Sequence, residues 1–195
     1  SVAKELFAKI DDNDKARTEW FDCGAESLNL KPNEIDLCTL LQGPNFLSDP
    51  KKVLKGVLGA LKPSGRVVAS AWDKIEENKG HFAIASALKK LGVQPALKPF
   101  SMGSPSLLKD IFMGSGFVIE KFYTEQKIIS FNSVKEFVSG VAAGAPATRH
   151  AISQLSLSKY EDFFQMVEEL LVDYSTTNGL KLPTQAHIVQ AVPAA

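Results

Sequence analysis

The chain lacks the short turns on which most nucleotide and acyl chemistry depends. No glycine-rich phosphate loop, no Walker-type G-x-x-x-x-G-K and no G-x-S-x-G elbow occurs in its 195 residues, so nothing in it signals a P-loop hydrolase or an α/β-hydrolase. Charge of one sign is missing too. Lys plus Arg number 22 and Asp plus Glu number 22, which leaves no broad basic field for nucleic acid or an anionic membrane. Lys51, Lys52 and Lys55 cluster locally and read as a solvated helix face. No apolar run approaches the ~18 residues needed to span a bilayer, and no signal or transit pattern follows Ser1. Cysteine is scarce. Cys23 and Cys38 have no metal-ligand spacing and lie in apolar, strand-like segments, so buried thiols in a reducing, intracellular compartment are expected. His81, His150 and His187 are scattered, and none pairs with Cys or an acid at ligand spacing. No metal site is expected. His187 reads as a satisfied structural residue, and His150 as a residue near a cap.

What is present is an alternation of helices and strands in ordinary globular proportions, 45% apolar and 23% charged. Val2–Ile10 reads as an amphipathic helix with Leu6, Phe7 and Ile10 on one side, ended by Asp11-Asp12-Asn13-Asp14. Thr18–Phe21 is a candidate short strand. Ile35–Leu41 is a better one, apolar enough to be buried on both faces. Asp49-Pro50 caps a helix whose stripe is Val53, Leu54, Val57, Leu58 and Leu61. Lys62-Pro63-Ser64-Gly65 stops it, and Arg66–Trp72 is the next strand, ending on Asp73. Strand, helix, strand in this order predicts a right-handed parallel βαβ unit. Ligands bind at the carboxyl ends of such strands, which makes Trp72 and Asp73 candidates for the substrate side.

Downstream, His81–Leu91 reads as a helix, Pro95–Met102 as a loop, and Ser104-Pro105 as the start of another helix with Leu107, Leu108, Ile111 and Phe112 inward. Phe117–Tyr123 and Lys127–Phe131 are strand-like. Ser133-x-x-Glu136 and Ser158-x-x-Glu161 have the form of capping boxes. The second leads a long helix carrying Phe163, Phe164, Val167, Leu170, Leu171 and Tyr174, ended by Asn178-Gly179. Ala186–Val192 is a closing strand. No repeat or linker interrupts the chain, so a single domain over 1–195 is expected.

Several segments, in order, carry a family resemblance. They are Glu19-Trp20-Phe21-Asp22-Cys23-Gly24-Ala25-Glu26-Ser27-Leu28, Ile35-Asp36-Leu37-Cys38-Thr39, Gln42-Gly43-Pro44-Asn45-Phe46-Leu47-Ser48-Asp49-Pro50, Leu61-Lys62-Pro63-Ser64-Gly65-Arg66-Val67, Trp72-Asp73, Pro99-Phe100-Ser101-Met102-Gly103 and Asn178-Gly179-Leu180-Lys181-Leu182-Pro183. Together they resemble the later two-thirds of a class I S-adenosylmethionine-dependent methyltransferase of the type 11, quinone-biosynthesis-like subgroup. The resemblance implies an α/β fold: a Rossmann-like sheet, incomplete at its N-terminal strands, with a helical cap insertion at about 132–178. It implies Ala25, Gln42 and Gly43 as cofactor-binding residues, and Trp72 and Asp73 as substrate-side residues.

Two departures bear on activity. The glycine-rich turn of the family's first strand is not among these residues, and Gly24 stands where the family usually has an acid near the adenine. The chain is thus expected to start at the helix after the second strand and to be processed, trimmed or part of a longer product. S-adenosylmethionine is then expected only if upstream sequence supplies the glycine loop. The Ile35–Leu41 strand would expose an apolar edge, and a protein partner covering that edge is expected. The function expected first is a methyltransferase-like, non-catalytic structural subunit, a pseudoenzyme. The alternative is part of an active methyltransferase acting on a small lipophilic acceptor.

Overall fold

The structure, a computed structural model, describes residues 18–194. The expected helix over Val2–Ile10, with its Leu6, Phe7 and Ile10 face, lies outside the described residues. The βαβ unit comes first: β1 (Ile35–Leu41), α1 (Pro50–Ala60) and β2 (Leu61–Trp72). Asp49 caps α1 by accepting the Lys52 N–H at 2.9 Å, with Pro50 in the first turn. Val53, Leu54, Val57 and Ala60 form its buried stripe. The helix ends at Ala60, before Lys62-Pro63. Leu61 is already extended and pairs with Ile35, and Lys62, the residue before Pro63, is itself driven out of the helical region. The Lys62–Gly65 segment therefore opens the strand instead of closing the helix.

β1 and β2 are parallel, as expected. The expectation that β1 is buried on both faces fails. Leu37 and Leu41 are 53% and 69% exposed, since only β2 pairs with β1 among the described residues. Thr18–Phe21 forms no strand, and Trp20 and Phe21 are exposed. The expectation of two buried thiols also fails in part. Cys23 is exposed, while Cys38 is half-buried and burial pushes its thiol up.

After β2 come α2 (Lys79–Lys90), α3 (Pro105–Met113) and β3 (Phe117–Phe131). β3 is one continuous strand of 15 residues and not two. Thr124–Gln126, which lay between the two expected strands, are held like the rest by β5 (Gly179–Pro193), in an antiparallel register from Phe117↔Pro193 to Phe131↔Leu180. Three helices lie between them: α4 (Val134–Gly144), α5 (Pro146–Ser153) and α6 (Leu157–Leu170). The first capping box is real. The Ser133 hydroxyl accepts the Glu136 N–H at 3.1 Å, while the Glu136 carboxylate reaches the N–H of Asn132, one residue further back. The second is displaced. Ser156 caps α6 through the Lys159 N–H, so Ser158 sits inside the helix. The helix stops at Leu170. Asn178-Gly179 instead turns the two-residue β4 (Ser175–Thr176) into β5, with Gly179 at φ +115°.

The sheet order is β1-β2-β5-β3, with β4 on β5. Two cores result. Val67, Ala69 and Ala71 of β2 and Val189 and Ala191 of β5 pack on Val53, Leu54 and Val57 of α1 and Leu108, Ile111 and Phe112 of α3. Alanines at the centre of β2 let the helices approach the sheet closely. The second core joins Ile84 and Leu88 of α2 to Phe137, Ile152, Phe163 and Val167 of α4–α6, with Leu180 and Leu182 of β5. The three helices are thereby held beside α2 and the N-terminal part of β5, near the carboxyl end of β2.

Candidate functional site

A cavity of 420 Å³ opens where β2 ends. Its walls come from Trp72 of β2, His81, Ile84 and Leu88 of α2, the Pro95–Phe100 loop, Phe131 of β3, and Val141 to Thr148 of α4 and α5. A smaller one of 90 Å³ adjoins it and shares Trp72, His81, Phe131 and Val141. The loop is pinned across the sheet end by Asn45, 2% exposed, which donates its Nδ2–H to the Pro99 carbonyl. The walls are almost wholly apolar, and an apolar wall with few polar groups suits a small lipophilic ligand.

Trp72 faces this cavity and stacks obliquely with His81 and Phe100, ring centroids 6.1 and 6.5 Å apart. Asp73 does not face it. Its Oδ1 lies 3.2 Å from His187 Nε2 and accepts the Lys74 N–H at 2.7 Å. His187, 1% exposed, also reaches the Gly103 carbonyl through Nε2 at 3.2 Å and Thr124 Oγ1 through Nδ1 at 2.9 Å. Both partners of Nε2 are acceptors, so Nε2 carries the proton and Nδ1 accepts from Thr124. Gly103 must be glycine here, because a Cβ would sit 2.7 Å from the Asp73 carbonyl carbon. The acid placed on the substrate side by its strand position is thus an internal tether.

At the carboxyl end of β1, Gln42 adopts φ +53°, a left-handed conformation rare outside glycine. Its N–H donates to the Ser70 carbonyl and hydroxyl, both at 3.0 Å. Its Oε1 is buried, and among the described residues no donor reaches it. Gly43 follows and leads into the Pro44–Phe46 turn. Ala25 lies apart, exposed on the Ala25–Ser27 turn. That turn is tied to the start of α1 by Glu26, whose Oε1 accepts the Ser48 N–H at 2.8 Å and the weaker Asp49 N–H at 3.5 Å. These backbone hydrogen bonds, with Glu26's own, hold its carboxyl below the usual carboxylate range. Glu26 is spent on the scaffold and does not replace the acid missing at Gly24.

The comparisons with known proteins bear on this arrangement. A methyltransferase-domain family model matches residues 2–69. A proposed methyltransferase from Bacillus halodurans superposes with a TM-score of 0.61 at 11% identity, covering 98% of this chain and 78% of that one. An S-adenosylmethionine-dependent methyltransferase from Methanosarcina mazei gives 0.52 at 12% identity, covering 99% and 76%. No curated protein matches the chain. The fold is that of a Rossmann-like methyltransferase. Within this methyltransferase-like domain, Gln42, Gly43 and Trp72 gather at the carboxyl ends of adjacent parallel strands. Ala25 and Asp73 do not line the cavity.

His81 is the residue that sequence reasoning passed over. Nothing within a few residues of it marks a site, and only the packing of α2 against β5 and α6 brings it beside Trp72. Its ring also lies 5.4 Å from Phe100 and 6.3 Å from Phe137. Burial among these rings holds its pKa below the ordinary 6.5. His150 is exposed and hydrogen-bonds Gln154 at 3.0 Å, and it does not line the cavity. Among the described residues, no group of three metal-ligating side chains converges, and no helix is long and apolar enough to cross a membrane.

Proposed function

We propose that this methyltransferase-like domain forms the acceptor-binding side of an S-adenosylmethionine-dependent methyltransferase whose acceptor is a small lipophilic molecule. The apolar 420 Å³ cavity beneath α4 and α5, at the carboxyl end of β2, carries this reading. When bound, the cofactor supplies an electrophilic sulfonium methyl group. The chain's own residues orient and dehydrate the acceptor: Trp72, Phe100 and Phe131 exclude water and fix a flat body against the end of the sheet. Gln42 and Gly43 would hold the cofactor from the neighbouring strand end. The buried Gln42 Oε1, which no donor among the described residues reaches, fits that role as an acceptor for an amine or hydroxyl. Ala25 would contribute through its turn.

A second reading is favoured by Leu37 and Leu41, which stand exposed on β1. In that reading the domain is a non-catalytic subunit whose β1 edge is covered by a protein partner. Calorimetric titration with S-adenosylmethionine and S-adenosylhomocysteine separates the two. Micromolar binding that is lost in Gln42→Ala supports the enzyme reading. No binding by a folded chain that still takes up 2-methylnaphthalene favours the subunit.

A further inference from the structure

The cavity has one titratable side chain in its wall. Among the lining residues only Trp72, His81 and Thr148 carry a side-chain polar atom, and no carboxylate, lysine or arginine is among them. The three histidines differ in one respect. His187 has hydrogen-bond partners on both ring nitrogens, and His150 has one on Nε2. Around His81 the ring contacts are with Trp72, Phe100 and Phe137, and desolvation alone accounts for its lowered pKa. A neutral imidazole always keeps one nitrogen as an acceptor. A polar atom set among apolar rings is costly unless something donates to it.

Resting on the acceptor-site reading, we propose that His81 determines the specificity of this cavity by accepting a hydrogen bond from the hydroxyl of an apolar ring compound. The walls choose the rest of the ligand. Trp72, Phe46, Phe100 and Phe131 offer flat faces, and Ile84, Leu88 and Val141 close the sides. A phosphate or carboxylate would meet no cation there, and a sugar would leave most of its hydroxyls unpaired. A single hydroxyl on an otherwise apolar ring is satisfied by His81 alone.

The test uses two probes of nearly equal shape, 2-naphthol and 2-methylnaphthalene, which exchange a hydroxyl for a methyl group. Equilibrium dialysis measures both dissociation constants on the full chain and on His81→Phe, with His81→Leu as a second variant should the first not fold. The expected result is a shift of roughly tenfold between wild type and variant in the ratio of the two constants, as one hydrogen bond in an apolar site would give. Binding of 2-methylnaphthalene stays within about twofold. His81→Gln, which keeps an acceptor, restores part of the ratio. An unchanged ratio in a folded variant overturns the assignment of His81 and leaves the acceptor cavity standing. Failure of both probes to bind the folded wild-type chain overturns the assignment and the acceptor-site reading together.

Discussion

Asp73, at the end of β2, and His187, in the middle of β5, lie 3.2 Å apart, Oδ1 to Nε2. This contact clamps the strand end to the closing strand. It also explains why an acid at a carboxyl strand end does not serve the cavity: its carboxylate is already hydrogen-bonded within the scaffold. His187→Phe would leave the Asp73 carboxylate and the Gly103 carbonyl short of a partner, and would remove the partner of the Thr124 hydroxyl. The expected loss is about 2–4 kcal/mol, read from urea unfolding. Asp73→Asn keeps the shape and an acceptor and should cost about 1 kcal/mol. A His187→Phe protein as stable as wild type would remove the clamp from the account.

His81 predicts a dependence on pH. Its pKa in the fold lies below the 6.5 of the unfolded chain. Between those two values the unfolded state binds more protons than the native state, so stability rises with pH there. Its contribution is complete above 6.5 and is lost as pH falls through the folded-state value. Chemical denaturation at pH 7.5 and at pH 5.5 should show a fall that is smaller in His81→Gln. Equal falls in the two proteins would place the titrating group elsewhere.

Gly140 lies in the interior of α4 and in the cavity wall, and a Cβ there would meet nothing within 4 Å. Helical glycine costs about 0.5–1 kcal/mol relative to alanine, so Gly140→Ala should stabilise the domain by roughly that amount. Gly140→Leu should lower affinity for 2-methylnaphthalene severalfold by narrowing the cavity at this wall. The two effects pull apart what helps the fold from what helps binding. Undiminished affinity in Gly140→Leu would mean that the ligand does not pass this residue.

The start of α6 offers a sharper contrast. Ser156 caps the helix through the Lys159 N–H, and Ser158 lies within its first turn. Ser156→Ala should cost about 0.5–1 kcal/mol, and Ser158→Ala should stay within about 0.5 kcal/mol. Thermal melts of both variants settle which serine is the cap. The reverse order would mean that the box over Ser158 and Glu161 operates after all.

Much was legible in the sequence, because local chemistry suffices for it. Asp49-Pro50 started α1, Ser133 and Glu136 capped α4, and the apolar spacing of residues 53–57 chose the buried face of its helix. The bounds of β1 and the parallel βαβ unit followed from the same signals. Long-range pairing decided the rest. β3 runs unbroken from Phe117 to Phe131 only because β5 supplies a partner along its whole length. The polar Thr124–Gln126, read alone, breaks the strand pattern. The site divides in the same way. Strand order put Trp72 and Gln42 at one end of the sheet, and the sequence alone determined that. Whether a side chain there faces the cavity or the scaffold depends on partners far along the chain. Asp73 was turned inward by His187, more than a hundred residues away, and His81 was brought to the cavity by the packing of α2 against β5 and α6. Periodicity and caps act over a few residues, whereas burial and hydrogen-bond pairing act through space, and only the tertiary structure could choose between them.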